Sequence, residues 1–217
     1  MADPTTRDIP VEVAHTTLLY IDMQNFCATE RGGEWVNMDP ADVQASYGWF
    51  FREMRERTVP AMQRLQRGCR AAGVEVMYTV IRNLTRNGRD RSLDYKITGF
   101  NVPPDSWDGQ VIDELRPAED EMVLPKTSSN VFISTHIDYI LRNLGTRYLM
   151  IAGNVTDQCI EGAVRDGCDL GYYVTLVTDA CCTYSQERHD NSLRAIKGYC
   201  RQRTTDEVLR EIGQPAS

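Results

Sequence analysis

Three residues of this chain combine side-chain type and local setting in a way that suits covalent chemistry: Asp22, Lys126 and Cys159. Asp22 closes the apolar run Leu18-Leu19-Tyr20-Ile21, which delivers its carboxylate at the carboxyl edge of a strand. Burial there raises a carboxyl pKa and fits it for proton transfer. An Asp in that place also serves as a turn or cap residue, so a role as general base needs partners. One comes from Val123-Leu124-Pro125-Lys126, where Pro125 stops further strand pairing and Lys126 projects from the same edge. Paired with Asp22, Lys126 keeps the carboxylate ionised and sets an ammonium beside any nearby thiol, favouring thiolate; the alternative is a surface lysine at a strand end. Residues Ile151-Ala152-Gly153-Asn154-Val155-Thr156-Asp157-Gln158-Cys159-Ile160-Glu161 run a strand through a glycine turn into a helix, with Cys159 near its first turn. The unpaired N–H groups and positive dipole end of a helix start stabilise a thiolate and a developing oxyanion, which makes Cys159 the preferred nucleophile. Cys27, Cys69, Cys168, Cys181, Cys182 and Cys200 read as loop or packing residues, and packing is an open role for Cys159 too.

The elements that must position these residues follow from the apolar pattern. Short runs at Thr17–Ile21, Val74–Ile81, Met122–Leu124, Tyr148–Ala152 and Tyr172–Val177 read as buried strands. Helical patterns lie between them at Tyr47–Ala72, Gln110–Leu115, His136–Asn143, Thr156–Leu170 and Gln186–Lys197, with Gly73, Gly145 and Gly171 as stops. Strand and helix alternate, so the expected fold is a three-layer αβα Rossmann-like arrangement with a mainly parallel sheet of about six strands. The stretches Cys27–Ala45 and Asn83–Asp108 read as loops, placed where substrate lids of open α/β sheets emerge or else as plain surface excursions.

Length and composition narrow the function classes. The 217 residues, 41% hydrophobic, are expected to form one domain over 1–217, with 1–14 and 205–217 as peripheral tails. A net charge of -7 leaves no basic stripe for a phosphate backbone, so a small-molecule substrate is expected and nucleic acid is not. Residues 1–16 are polar, and no segment reaches the roughly 20 apolar residues of a membrane span, so the expectation is a cytoplasmic protein without membrane contact. Seven scattered cysteines without CxxC spacing suggest reduced thiols, not a disulfide frame or a zinc site.

Taken together, Leu19-Tyr20-Ile21-Asp22-Met23-Gln24-Asn25-Phe26, Pro125-Lys126-Thr127 and Gly153-Asn154-Val155-Thr156-Asp157-Gln158-Cys159 resemble the isochorismatase-like cysteine hydrolases, in the family's order and over roughly residues 14–200. The match extends through Gly171-Tyr172 and Asp179-Ala180. The resemblance implies a catalytic triad of Asp22, Lys126 and Cys159, a non-proline cis peptide at Asn154–Val155, and an oxyanion hole made by the N–H groups of Val155 and Cys159. It also implies a homo-oligomer, dimer or tetramer, and a mechanism that needs no metal and no cofactor. The family includes nicotinamidases, N-carbamoylsarcosine and ureidoacrylate amidohydrolases, and biuret and triuret hydrolases.

Within that resemblance some members fit better than others. True isochorismatases lack the cysteine found here at 159, and nicotinamidases carry an Asp and two His on a metal, whereas the segment after Asp22 holds no histidine. His15, His136 and His189 fall elsewhere, the last in a helix start where a solvated or capping role is expected. The expected substrate is therefore a linear ureido or carbamoyl compound, cleaved at an amide C–N bond. A nicotinamidase-like amidase and a non-catalytic metabolite binder are the alternatives, and a redox thiol protein ranks lower. Gln24, Asn25 and Phe26 after the first strand, with Tyr95 and Phe100 in the second loop, are expected to grip and wall the substrate, structural packing being the other role open to each.

Overall fold

Each of the five apolar runs is a strand in the computed structural model, which describes residues 6–216. They are β1 (Thr16–Ile21), β2 (Glu75–Ile81), β3 (Met122–Lys126), β4 (Tyr148–Asn154) and β5 (Tyr173–Cys182), joined by a sixth, β6 (Arg201–Arg203). The sheet order is β3-β2-β1-β4-β5-β6 and every pairing is parallel. Every residue of β1 and β4 is buried, which is why these central strands read as unbroken apolar runs instead of alternating ones.

The helices are α1 (Asn25–Ala28), α2 (Pro40–Glu53), α3 (Val59–Ala72), α4 (Leu93–Ile97), α5 (Val131–Ser134), α6 (Ile137–Asn143), α7 (Glu161–Asp169), α8 (Gln186–Ile196) and α9 (Thr205–Glu211). One group, α3 with α9, packs on β2 and β5; another, α7 with α5 and α8, packs on β4 and β5. A π-helical turn, Met54–Thr58, joins α2 to α3 without a break. Pro60, one residue beyond Val59, brings no N–H to the helix, so the wider turn relieves the clash a proline ring makes with the preceding turn.

Several expectations need correction. The helix expected over Tyr47–Ala72 starts earlier, at Pro40, because Asp39 caps it by accepting from the N–H of Ala41. Residues 110–115 do not form an α-helix. Gln110 accepts from Asn25 N (2.9 Å) and Ile112 N donates to Met23 O (3.0 Å), so the segment lies extended beside the end of β1 and closes with a short 3₁₀ turn, Asp113–Leu115. The segments read as peripheral tails contribute to the core: Ile9 and Val11 are buried, and α9, fixed by a capping box between Thr204 and Glu207, buries Val208 and Leu209. Residues 1–5 and 217 of those tails lie outside the described residues. Among the described residues no helix is long and apolar enough to cross a membrane.

Candidate active site

The strand order reverses its winding between β1 and β4, and the carboxyl ends of those two strands carry Asp22 and the Gly153–Cys159 turn. Asp22 adopts φ 58°, in the left-handed region that non-glycine residues seldom occupy but that short polar side chains tolerate. Three contacts hold it there. Its N–H donates to Thr79 O (2.9 Å), and its carbonyl accepts from Asn154 Nδ2 (2.9 Å) and Cys27 Sγ (3.2 Å). Gly153, at φ 134°, lets β4 come against β1 at this point, since a Cβ there would sit 2.1 Å from Ile21 O. The Asn154–Val155 peptide bond that follows is cis.

Lys126, at the end of β3, is fully buried. Its Nζ lies 3.0 Å from Asp22 Oδ2 and 3.5 Å from Cys159 Sγ, and it donates to Tyr95 OH (3.0 Å) and to the carbonyls of Ser128 and Ser129 (both 3.1 Å). Burial works against the ammonium, yet the Asp22 carboxylate, the Cys159 thiol and Tyr95 outweigh it and hold Lys126 protonated. Burial also pushes the Asp22 carboxyl above the usual range, with Lys126 and the Cys159 thiol pulling it back. Lys126 and the Cys159 thiol are the groups that face this carboxylate, so the proton of Cys159 has Asp22 as its neighbouring acceptor.

Cys159 is pushed up to about 12 by burial, against the pull of Lys126 and with Asp22 adding to the rise. Burial thus favours the neutral thiol despite the adjacent ammonium, and the nearby Asp22 carboxylate is placed to accept its proton. Cys159 sits in a π-helical turn, Thr156–Ile160, that leads into α7. Helix α8 staples this turn in place. His189 Nδ1 lies 2.9 Å from Thr156 Oγ1, Ser192 donates to Thr156 O and to Glu161, and Asp157 accepts from Thr183 Oγ1 and Arg188 Nε (both 2.6 Å). His189 is therefore buried, not solvated, and burial pushes its imidazole below its ordinary pKa.

A cavity of about 550 Å³ opens over Asp22 and Cys159. Of the residues expected to wall it, Tyr95 and Phe100 do; Gln24, Asn25 and Phe26 do not. The amides are consumed by backbone groups instead. Gln24 is fully buried, donating to Ile81 O and Asp108 O (both 2.9 Å) and accepting from Ile81 N, while Asn25 donates to Trp107 O (3.0 Å). Phe26 stands edge-on behind Phe100 at 5.0 Å. Sequence reading missed Glu34, Tyr47 and Tyr184, which line the cavity from three separate segments, and Cys27, which lines it from α1. None of the three histidines is among the lining residues, and among the described residues no group of three His, Cys, Asp or Glu side chains is arranged to hold a metal ion.

Comparison with known proteins is consistent across sequence and structure. The family model described as Isochorismatase domain matches residues 16–207. The chain is 28% identical over 196 residues to the ureidoacrylate amidohydrolase RutB of Agrobacterium fabrum (strain C58), spanning 79% of this chain and 78% of that protein. It is 27% identical over 194 residues to RutB of Rhizobium rhizogenes (79% and 72%). Among solved structures it superposes on a cysteine hydrolase from Pseudomonas syringae pv. phaseolicola 1448A with a TM-score of 0.79 at 25% identity, covering 98% of this chain and 99% of that one. N-carbamoylsarcosine amidase from Thermoplasma acidophilum shares the fold at a TM-score of 0.65 and 21% identity (88% and 96% covered).

Proposed function

The chain belongs to the isochorismatase family, and on that premise we propose that it is an amidohydrolase whose Cys159 attacks the carbonyl carbon of a small linear ureido or carbamoyl compound. The observation that carries the reading is the single ammonium of Lys126 set between a buried carboxylate at 3.0 Å and a buried thiol at 3.5 Å, beneath one cavity. Relatives named as ureidoacrylate amidohydrolases support the reaction class.

In this account Asp22 takes the thiol proton as Sγ bonds to the carbonyl carbon, since burial holds the Cys159 thiol above its ordinary pKa and the Asp22 carboxylate is its neighbouring base. Lys126 stays protonated, holding Asp22 in place before transfer and balancing the charge that moves to the substrate. The N–H groups of Val155 and Cys159 hold the tetrahedral oxyanion. Protonated Asp22 then passes its proton to the departing nitrogen, the C–N bond breaks, and ammonia or an amine leaves. A water deprotonated by Asp22 attacks the thioester or thiocarbamate, and the sulfur leaves with that proton, restoring the starting state.

A panel of biuret, triuret, ureidoacrylate, N-carbamoyl amino acids and nicotinamide, scored by ammonia release with native protein and with Cys159→Ser, tests the reading. Turnover of a linear compound at least about a hundredfold above nicotinamide, lost in the variant, is the expected result. Activity retained in the variant, or nicotinamide ranked first, contradicts it. The absence of histidine from the cavity lining is what sets the pyridine carboxamide second.

A further inference from the structure

The hydrolytic steps use Asp22 and leave two carboxylates of the cavity without a role, the exposed Asp94 and the less exposed Glu34. Glu34 reaches the cavity because the Gly32–Glu34 turn lies hard against α1: a Cβ on Gly32 would meet Phe26 O at 2.1 Å, and Glu34 N donates to that same carbonyl at 3.2 Å. Gly33 N is tied to Asp108 Oδ1 at 3.1 Å, so the turn is fixed on both sides. One carboxylate oxygen, Oε1, accepts from Tyr184 OH at 3.1 Å. The Tyr184 ring is itself locked edge-on against Tyr47 at 5.0 Å, and both tyrosines line the cavity with Glu34.

Charge in this cavity is one-sided. Asp22, Glu34 and the more exposed Asp94 line it, and among the described residues no Lys, Arg or His does. Two cations that touch its lining residues, Lys126 and Arg188, are engaged by other partners. Lys126 is saturated by Asp22, Tyr95 and two carbonyls, and Arg188, stacked 4.9 Å from the Tyr184 ring, is paired with Asp157.

We propose that Glu34 is the specificity residue of this site, selecting compounds whose distal end presents N–H donors, neutral or cationic, and rejecting those that end in a carboxylate. An N–H group donating to a carboxylate forms a charge-assisted bond, and the flanking tyrosines give a planar amide or an ammonium an apolar and π-electron surface. A substrate carboxylate in the same place meets like charge without a counter-ion, an arrangement that strongly disfavours binding. Burial raises the Glu34 carboxyl to about 7, with the Tyr184 hydroxyl lowering it and the Asp22 charge raising it, so the accepting form predominates at pH 8. The selection rests on the amidohydrolase reading for the reaction it serves, but it is a property of binding and is tested as one.

The experiment uses a matched pair, N-carbamoylglycine and N-carbamoylglycinamide, titrated calorimetrically at pH 8 into the Cys159→Ala protein, which holds substrate without turning it over. The carboxamide is expected to bind at least about tenfold more tightly. Glu34→Gln in the same background keeps an oxygen for the Tyr184 hydroxyl and removes the charge, and it is expected to bring the ratio to about threefold or less. Equal or tighter binding of the carboxylate, no detectable binding of either compound, or a ratio unmoved by Glu34→Gln overturns the inference. Ammonia release by the native protein is scored separately: a preserved binding preference without turnover of either compound sinks the hydrolase reading and leaves the selectivity standing.

Discussion

Replacing Lys126 by Met removes the ammonium while roughly keeping the volume of the side chain, and it leaves the Asp22 carboxylate buried without its charge partner. Breaking a buried pair from one side costs about 3–5 kcal/mol when the remaining group stays charged. For a chain of 217 residues that corresponds to a fall in Tm of about 6–20 °C. Asp22 can escape part of this by binding a proton, so the loss depends on pH. In the variant the folded-state carboxyl pKa rises still further above its unfolded value, and the folded state binds more protons in the window between the two. Stability there falls as pH rises, and the gap between native protein and variant widens from mildly acidic pH to a plateau above the shifted pKa. Activity falls by about 10²–10⁴-fold, because a protonated Asp22 cannot accept the thiol proton. The double variant Asp22→Asn with Lys126→Met removes both charges and is expected to recover stability over the single variant while remaining inactive. Thermal melts followed by circular dichroism from pH 5 to 8, with ammonia release on the same samples, make the measurement. A Lys126→Met protein as active as the native one, or a double variant no more stable than the single, refutes the coupling argued for this site.

Other consequences are simpler to measure. Because burial raises the Asp22 carboxyl and the base must be ionised, kcat is expected to fall on the acid side with a midpoint above the usual carboxylate range; a midpoint at the value of a free carboxyl speaks against Asp22 as base. Lys126 is held protonated well above its usual pKa, so a loss of kcat between pH 8 and 9 is not expected from it, and a pH–rate profile extended to that range checks this. Gly153→Ala places a Cβ 2.1 Å from Ile21 O at a φ of 134°, which is expected to destabilise the fold by about 3 kcal/mol or more; an unchanged melting temperature contradicts that close approach. Dialysis against a strong chelator is expected to leave the rate unchanged, and a loss restored by zinc or manganese would favour a metal-assisted amidase of the nicotinamide type.

The strands were legible because β1 and β4 are buried on both faces and carry polar side chains only at their ends, Thr16, Thr17 and Asn154, so the run between is unbroken. The three-residue edge strand β6, Arg201-Gln202-Arg203, has no apolar side chain and pairs only with β5, so no periodicity marks it. The ends of β1, β3 and β4 pointed to Asp22, Lys126 and Cys159 because each local setting is encoded within a few residues: a strand terminus, a proline, a glycine turn. The cavity wall was not legible in the same way. Gln24 and Asn25 follow Asp22 directly, and their amides suggested substrate contacts, but the backbone at Ile81, Trp107 and Asp108 takes those hydrogen bonds. Glu34, Tyr47 and Tyr184 come from a turn, a helix and the segment after β5, and only the packing of α2 and of the chain after β5 around the sheet edge brings them together.

The proposed hydrolysis passes through a bond from Cys159 Sγ to the substrate carbonyl carbon. Quenching the native protein in acid within milliseconds of mixing with a turned-over ureido or carbamoyl substrate, followed by intact-mass and peptide mass spectrometry, looks for it directly. An acyl or carbamoyl mass increment is expected on the peptide bearing Cys159, forming no slower than kcat and absent from Cys159→Ser. Full turnover with no adduct on Cys159 at any time point, or an adduct confined to another cysteine, contradicts it.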